Sequence, residues 1–294
     1  MDEILRLTER FEANRPRLRA VAYRMLGSLS EAEDAVQEAW LRLARTGGED
    51  IENLDAWLTT VVARLCLNVL RSHERRGEEP LEARIPDPLI DREDGGHPEH
   101  QALLADSVGL ALLVVLDTLG PAERLAFVLH DMFAVPFDEI APLIERTPAA
   151  ARQLASRARR RVQGQAPVPD PDLGRQREVV GAFFAAARDG DLDALVAVLD
   201  PDVVLRSDGG VVRARRTVVL RGARTVAGQA VTFGGLAPFV RPALINGTAG
   251  VVVAAQGRRL SVMAFTVTAG RIVAIDVLAD PERLAALDLS ALDR

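Results

Sequence analysis

Between Ala22 and Leu43 the chain reads AYRMLGSLSEAEDAVQEAWLRL: the end of one amphipathic helix, a break at Gly27 and the start of a second. Ser30 and Glu33 stand in the S-x-x-E spacing of a capping box, which predicts the second helix's start. Ala32, Ala35, Val36, Ala39 and Leu43 then share one face, and Asp34, Gln37, Glu38, Leu41 and Arg42 the other. Helical periodicity covers 3–26, 31–46 and 54–75, the last beginning after Asn53, a good N-cap. In that third helix Leu58, Val61, Val62, Leu65 and Val69 form the predicted inward stripe. Thr60, Arg64, Leu67 and Arg71 form the outward one.

Residues 101–162 are helical again. Pro121 opens one helix as its first residue. A short helix spans 137–144, Glu145-Arg146-Thr147 turns, and Thr147 and Pro148 start a longer helix. This last helix places Ala151, Leu154, Ala158 and Val162 inward, with Arg152, Gln153, Ser156, Arg157, Arg159 and Arg160 outward or sideways. A short helix, a tight turn and a longer basic helix make the helix-turn-helix pattern.

Two Pro-rich stretches, 77–100 and 164–174, read as linkers. After the second, two helices fit 175–199. Strand signals then cover 202–207, 212–220, 239–246, 250–256, 259–268 and 271–278, with a helix at 222–231 and a hairpin at Thr268-Ala269-Gly270. That order predicts an α+β domain with helices on a curved antiparallel sheet.

A chain of 294 residues exceeds one ordinary core, so two or three domains are expected. No apolar run approaches the ~18 residues of a membrane span, and the opening MDEILRLTER lacks a signal peptide's apolar core. Cys66 is the single cysteine, which excludes an intrachain disulfide and a cysteine-based metal cluster. These features predict a cytoplasmic protein without a membrane partner, cofactor or metal.

The net charge of −6 argues against generic polyanion binding, but charge is uneven. Residues 148–161 hold five Arg and no acid, whereas 77–100 hold eight acids against two Arg. The basic residues are all Arg, which suits bidentate contact with phosphate and guanine. Within the basic helix, Gln153 and Arg157 are candidates for base edges and Arg160 and Arg161 for backbone phosphate. A solvated helix end is the competing reading for the last two. On the 54–75 helix, Trp57, Thr60, Arg64, Asn68 and Arg71 combine an aromatic ring, small polar groups and guanidinium. That set is compatible with single-stranded DNA, although Trp57 alone reads as core.

The order of these segments, AYRMLGSLSEAEDAVQEAWLRL, NLDAWLTTVVARLCLNVLRS and LGPAERLAFVLHDMFAVPFDEIAPLIERTPAAARQLASRARRRV, resembles bacterial sigma factors of the extracytoplasmic-function (ECF) type over residues 4–163. The resemblance implies sigma region 2 at 1–76, an acidic linker at 77–100, and region 4 with its helix-turn-helix at 101–163. It implies that Asp34, Gln37, Glu38 and Leu41 bind core RNA polymerase. Trp57, Thr60, Arg64, Asn68 and Arg71 would serve the −10 element. Arg152, Gln153, Ser156, Arg157 and Arg160 would serve the −35 element. Promoter DNA and core polymerase are the implied partners, and the acidic linker is implied to thread near the polymerase active centre.

After the linker at 164–174, residues 175–294 resemble a SnoaL-like domain of the nuclear-transport-factor-2 superfamily, an α+β cone. The whole is therefore multidomain, two all-α sigma domains plus this α+β domain, SigJ-like in organisation. That subgroup carries a Pro-containing linker motif, D-G-G-G and N-P-D-K-L. Here the counterparts are Ile85-Pro86-Asp87-Pro88, Asp208-Gly209-Gly210-Val211 and Asp280-Pro281-Glu282-Arg283-Leu284. Pro86, Pro88, Asp208, Gly209, Gly210, Asp280, Pro281 and Leu284 are the implied regulatory positions. The resemblance also implies control in cis without a separate anti-sigma factor.

Two other readings stand beside this one. A ligand-responsive helix-turn-helix regulator would sense a small molecule in the C-terminal pocket. An enzyme with a DNA-binding appendage would use Asp208 or Asp276, but no His follows His130 to pair with either. Asp208 before two glycines reads as a turn, and Asp276 could face solvent or a pocket. No catalytic residue is expected.

Overall fold

A computed structural model describes residues 2–47, 51–76, 85–92, 109–209, 217–255 and 258–287. They form two compact bodies, one from 2–76 and 115–164, the other from 85–92, 109–114 and 165–287. Among the described residues no helix is long and apolar enough to cross a membrane.

The first body is helical. It contains α1 (Asp2–Leu26), α2 (Leu29–Thr46) and α3 (Leu54–Arg76), then the end of α4 (Leu110–Asp117). These are followed by α5 (Pro121–Phe127), which runs into a π turn at Val128–Met132, then α6 (Phe137–Ile140) and α7 (Pro148–Gln165). Gly27 ends α1 at φ +68°, where a Cβ would be strained. The cap of α2 lies two residues earlier than expected. Ser28 Oγ accepts from Glu31 N at 3.4 Å. Glu33 is already inside the helix, where its carboxylate pairs with Arg15 at 2.5 Å and Arg19 at 3.1 Å.

Asn53 caps α3 as expected, accepting from Ala56 N at 3.1 Å. The expected inward stripe of α3 is rotated. Leu58 and Val62 are buried, but with Leu54, Ala63, Cys66, Leu67 and Leu70, while Val61, Leu65 and Val69 are half-buried. Leu67, expected outward, is 1 % exposed. The reason is that α3 packs against α1, α2 and α5, so it buries a wider arc than one stripe.

The second body is a seven-stranded sheet with helices. Its strands are β1 (Ile90–Asp91), β2 (Leu199–Asp208), β3 (Thr217–Arg221), β4 (Val240–Ile245), β5 (Thr248–Ala255), β6 (Arg258–Thr268) and β7 (Arg271–Leu278). Their order is β1-β4-β5-β6-β7-β2-β3, with β2 and β7 parallel and every other pair antiparallel. Register shifts in the β2/β7, β5/β6 and β6/β7 pairs bend the sheet. Helices α8 (Leu173–Asp189), α9 (Leu192–Val198) and α10 (Ala223–Thr232) pack into its concave face. There Phe183, Phe184 and Phe265 meet edge to face at 5.4–5.7 Å, among Leu195, Val203, Leu205 and Ile275. A short α11 (Pro281–Ala286) packs on β6.

Among the described residues the β4–β5 and β6–β7 hairpins each place two successive residues at positive φ, Asn246-Gly247 and Ala269-Gly270, the backbone twist that joins antiparallel strands through two residues. Most expected strands match. The expected strand at 212–220 is described only from Thr217.

The two Pro-rich stretches differ from their reading as plain linkers. Ile90–Asp91 adds an edge strand to β4. Residues 168–170 hold the β6–β7 hairpin: Asp170 accepts from Ala269 N at 2.8 Å and Gly270 N at 2.9 Å, and Thr268 Oγ1 donates to Val168 O at 2.8 Å.

Candidate polymerase and nucleic-acid interfaces

Helix α2 buries Ala32, Ala35, Val36, Ala39 and Leu43, as its periodicity predicts. The opposite face therefore carries Asp34, Gln37 and Leu41 into solvent, with Glu38 half-exposed. Leu41 is 49 % exposed, an apolar side chain set among acids. Glu38 accepts from Arg42 Nε at 2.8 Å, and this hydrogen bond holds its carboxyl below the usual range.

On α3, Trp57, Thr60, Arg64, Asn68 and Arg71 follow one another at helical spacing along one stripe. Arg64 and Asn68 are exposed; Trp57, Thr60 and Arg71 are half-buried. Of this stripe Thr60 lines a cleft of about 280 Å³, together with Asp55, Phe133, Pro136 and Glu139. The same helical body holds an arginine clasp. Arg124 of α5 donates to the Arg24 carbonyl through Nε at 3.0 Å and Nη2 at 2.9 Å. Its Nη1 donates to Asp117. The Arg24 guanidinium lies 5.1 Å over the Phe133 ring. Beside this clasp, burial pushes the Cys66 thiol up to about 12.

The helix-turn-helix forms as expected. Glu145 turns at φ +55°, and Thr147 Oγ1 caps α7 by accepting from Ala150 N at 3.2 Å. Ala151, Ala155 and Ala158 are its buried face, and their small side chains let α7 approach closely; Leu154 and Val162, expected inward, are half-buried. Arg152, Gln153, Arg157 and Arg160 are exposed and Ser156 is half-buried. Arg152 lies 5.2 Å over the Phe137 ring. Arg157 does not stand free beside Gln153: its Nε lies 3.3 Å from Glu123.

In the sheet body the three motifs around Ile85-Pro86-Asp87, Asp208 and Asp280-Pro281 meet at Arg283. Its Nε and Nη2 reach Asp87 Oδ1 at 3.1 and 2.5 Å, Nη2 donates to the Ile85 carbonyl at 2.6 Å, and Nη1 donates to Asp208 Oδ2 at 2.7 Å. Asp280 caps α11, accepting from Glu282 N at 2.9 Å and Arg283 N at 3.3 Å, with Pro281 in the first turn. Leu284 is buried beneath. Pro86, Pro88 and Gly209 are buried too; Gly210 lies outside the described residues. Asn246 completes the docking: its Oδ1 accepts from Leu89 N at 3.0 Å, and its N donates to Leu89 O at 2.8 Å.

Asp208 is thus an ion-paired end of β2 and not a plain turn residue. Asp276 lies on the face away from Phe265 and Ile275. It is 1 % exposed and takes Arg206 Nη1 at 3.1 Å. Burial raises its pKa, against the pull of Arg206.

The family models for Sigma-70 region 2 and Sigma-70 region 4 match residues 10–76 and 109–162. The ECF RNA polymerase sigma factor SigJ of Mycobacterium tuberculosis (strain H37Rv) is 40 % identical over 287 residues, covering 93 % of this chain and 91 % of that one. The probable ECF RNA polymerase sigma factor SigI of the same species is 38 % identical over 283 residues, covering 93 % of each. The chain belongs to the ECF sigma factors. The crystal structure of M. tuberculosis SigJ superposes on this sigma factor with a TM-score of 0.78 at 37 % identity, covering 96 % of this chain and 99 % of that one.

As a sigma factor the chain binds core RNA polymerase and promoter DNA, and its class is not enzymatic. Sequence reasoning missed Arg283, although it stands in the quoted D-P-E-R-L segment between the cap and the buried leucine. It also missed Asn246, whose Asn-Gly pair is a hairpin signal in its own right. Arg124, Glu123 and Asp131 carry no sequence signal beyond helical spacing.

Proposed function

We propose that this ECF sigma factor divides its work among the faces described. Asp34, Gln37, Glu38 and Leu41 of α2 dock core polymerase, an amphipathic surface with its apolar residue outward. Trp57, Thr60, Arg64, Asn68 and Arg71 of α3 hold the opened −10 strand, by guanidinium on phosphate and ring against base. Arg152, Gln153, Ser156, Arg157 and Arg160 of α7 dock the −35 duplex in its major groove. The division is region 2 at 1–76, linker at 77–100, region 4 at 101–163, a second linker at 164–174 and a regulatory domain at 175–294.

The regulatory domain acts in cis, and the observation that supports this is the meeting of three separated motifs at Arg283. Held there, residues 85–91 are tied to the sheet body, two of them as strand β1, and cannot thread elsewhere. Release of Asp87 and Ile85 from Arg283 frees the acidic linker for the polymerase channel. No separate anti-sigma factor is required for such control, and the protein works in the cytoplasm with the polymerase. Catalysis has no place in this reading, because Asp208 and Asp276 are both committed to arginines.

Run-off transcription with core polymerase tests the reading. Arg283→Ala is expected to change transcript yield without changing core binding. Arg157→Ala is expected to weaken promoter binding and leave core binding intact, and Asp34→Ala and Glu38→Ala to do the reverse. Loss of core binding in Arg157→Ala would overturn the assignment of α7.

A further inference from the structure

The basic helix α7 is not a uniform row of free charge. At roughly 100° per residue, Ala149, Gln153 and Arg160 run along the middle of its outward face, with Ser156 on one shoulder and Arg157 on the other; Arg161 lies farther round on the Arg157 side and Arg159 on the Ser156 side. Each flank is tied to an acid on the preceding elements. Glu123 of α5 takes Arg157 Nε at 3.3 Å and Arg161 Nη1 at 3.7 Å, and Arg161 Nη1 also donates to the Thr118 carbonyl at 3.2 Å. Asp131 in the π turn takes Arg159 side-on, Nη2 at 2.5 Å and Nε at 2.6 Å.

The acids are the shielded partners. Glu123 and Asp131 side chains are 20 % and 16 % exposed, against 59 %, 44 % and 43 % for Arg157, Arg161 and Arg159. Exposed ion pairs of this kind contribute little stability, so the main consequence is geometric. A guanidinium has five N–H donors in a rigid fork; a carboxylate occupies one edge and leaves the other for phosphate.

We propose that Glu123 and Asp131 are positioning residues of promoter recognition. They hold Arg157, Arg161 and Arg159 at the two flanks of α7 as clamps for the phosphates bordering the major groove. This fixes the register in which Gln153, Ser156 and Arg160 meet base edges, and it exchanges the base-edge and phosphate roles that the sequence suggests for Arg157 and Arg160. The same carboxylates repel a duplex seated out of register, which adds discrimination against wrong sites. The inference rests on the reading of α7 as the −35 helix.

The test uses the full-length protein with core polymerase and two duplexes. One is enriched from a random library by that complex; the other is the same duplex with its enriched block shuffled. Affinities are taken over a salt series. Glu123→Gln is expected to reduce the ratio of the two affinities about tenfold, the scale of one bidentate base contact. The reduction comes mainly from tighter binding of the shuffled duplex with a steeper salt dependence. Glu123→Asp retains most of the ratio. In a chain carrying Arg157→Ala and Arg161→Ala, Glu123→Gln has no further effect. Asp131→Asn depends on Arg159 in the same way.

Equal tightening on both duplexes, or an effect that persists without the arginines, overturns the positioning role and leaves only bulk charge. If Gln153→Ala and Arg160→Ala leave both affinities unchanged, the assignment of α7 to the promoter fails, and the tethers fail with it.

Discussion

Arg124 in the helical body and Arg283 in the sheet body are built alike. Each spends one guanidinium on a carboxylate and on the backbone carbonyl of a segment remote in sequence: Asp117 and Arg24 for the first, Asp87, Asp208 and Ile85 for the second. Their surroundings differ. The Arg124 and Asp117 side chains are 2 % and 3 % exposed, whereas Arg283 and Asp87 are each 16 % exposed. Arg124 joins elements that are helical on both sides. Arg283 grips a short, Pro-flanked segment whose sheet contribution is two residues long. The same chemistry thus gives a fixed lock in one place and a releasable clasp in the other, and the depth of burial decides which.

The largest effect that could break this contrast is at the lock. Arg124→Ala breaks its buried pair with Asp117, and breaking a buried pair costs about 3–5 kcal/mol. Thermal unfolding of the full chain should show that loss in the helical body, and a cost under about 1 kcal/mol would remove Arg124 from the role of lock. Cys66 supplies a local readout. With its thiol pushed to about 12 by burial, it reacts with a thiol reagent at pH 8 only when the helices open. Arg124→Ala should speed that labelling about a hundredfold, the equivalent of ~3 kcal/mol in the opening equilibrium. Arg283→Ala should leave it unchanged; acceleration there would mean that clasp and lock are not independent.

The clasp carries a smaller effect. Arg283→Ala removes the Arg283 donors from Asp87 and Asp208 in a partly shielded site, a cost of about 1–3 kcal/mol. The expected signature is local, with faster hydrogen exchange at the Leu89 amide while the β6 and β7 amides keep their protection. If all strands lose protection together, Arg283 is a structural residue and the clasp reading fails. Arg283→Lys sharpens the point. The subgroup motif has Lys at this position, and an ammonium is a point charge without the planar fork. It is expected to hold one carboxylate and release the other, so Leu89 exchange should fall between wild type and Arg283→Ala.

How much of this was legible depended on whether a residue's partner was close in sequence. The caps at Asn53 and Thr147, the helical order and most strands followed from local chemistry. The cap at Ser28 did not, because Ser28-Glu31 and Ser30-Glu33 fit one pattern and only Arg15 and Arg19 decide between them. The face of α3 was misjudged at Leu67 because periodicity finds one buried stripe, whereas three neighbours bury an arc. The residues proposed for polymerase and DNA on α2, α3 and α7 follow from helical spacing and the family resemblance, and they lie at or near the surface, with Trp57, Thr60, Arg71 and Ser156 half-buried. The arginine hubs were hidden, since Arg283 lies 196 positions from Asp87 and Arg124 lies 100 from Arg24.

The smallest expected effect is a pH dependence in the sheet body, where Asp276 and Asp170 are opposed. Burial raises the Asp276 pKa despite Arg206, so the folded sheet holds that proton to higher pH than the unfolded chain does. Its stabilising contribution is full below the ordinary carboxylate range and is lost as pH rises through the raised value. Asp170 runs the other way. The Gly270 and Ala269 amides lower its pKa, so its contribution is present above the ordinary range and lost as pH falls through the lowered value. Asp276→Asn removes only the first linkage. The difference in Tm between Asp276→Asn and wild type should therefore shift in favour of the variant between pH 4 and pH 7, by a few degrees at most. Asp170→Asn should shift in favour of the variant toward acid pH instead. A difference for Asp276→Asn that stays flat across this range would mean that the Arg206 pair fully compensates the burial. The outer-face ion pair would then belong with Arg124 as a lock, not with groups that respond to their surroundings.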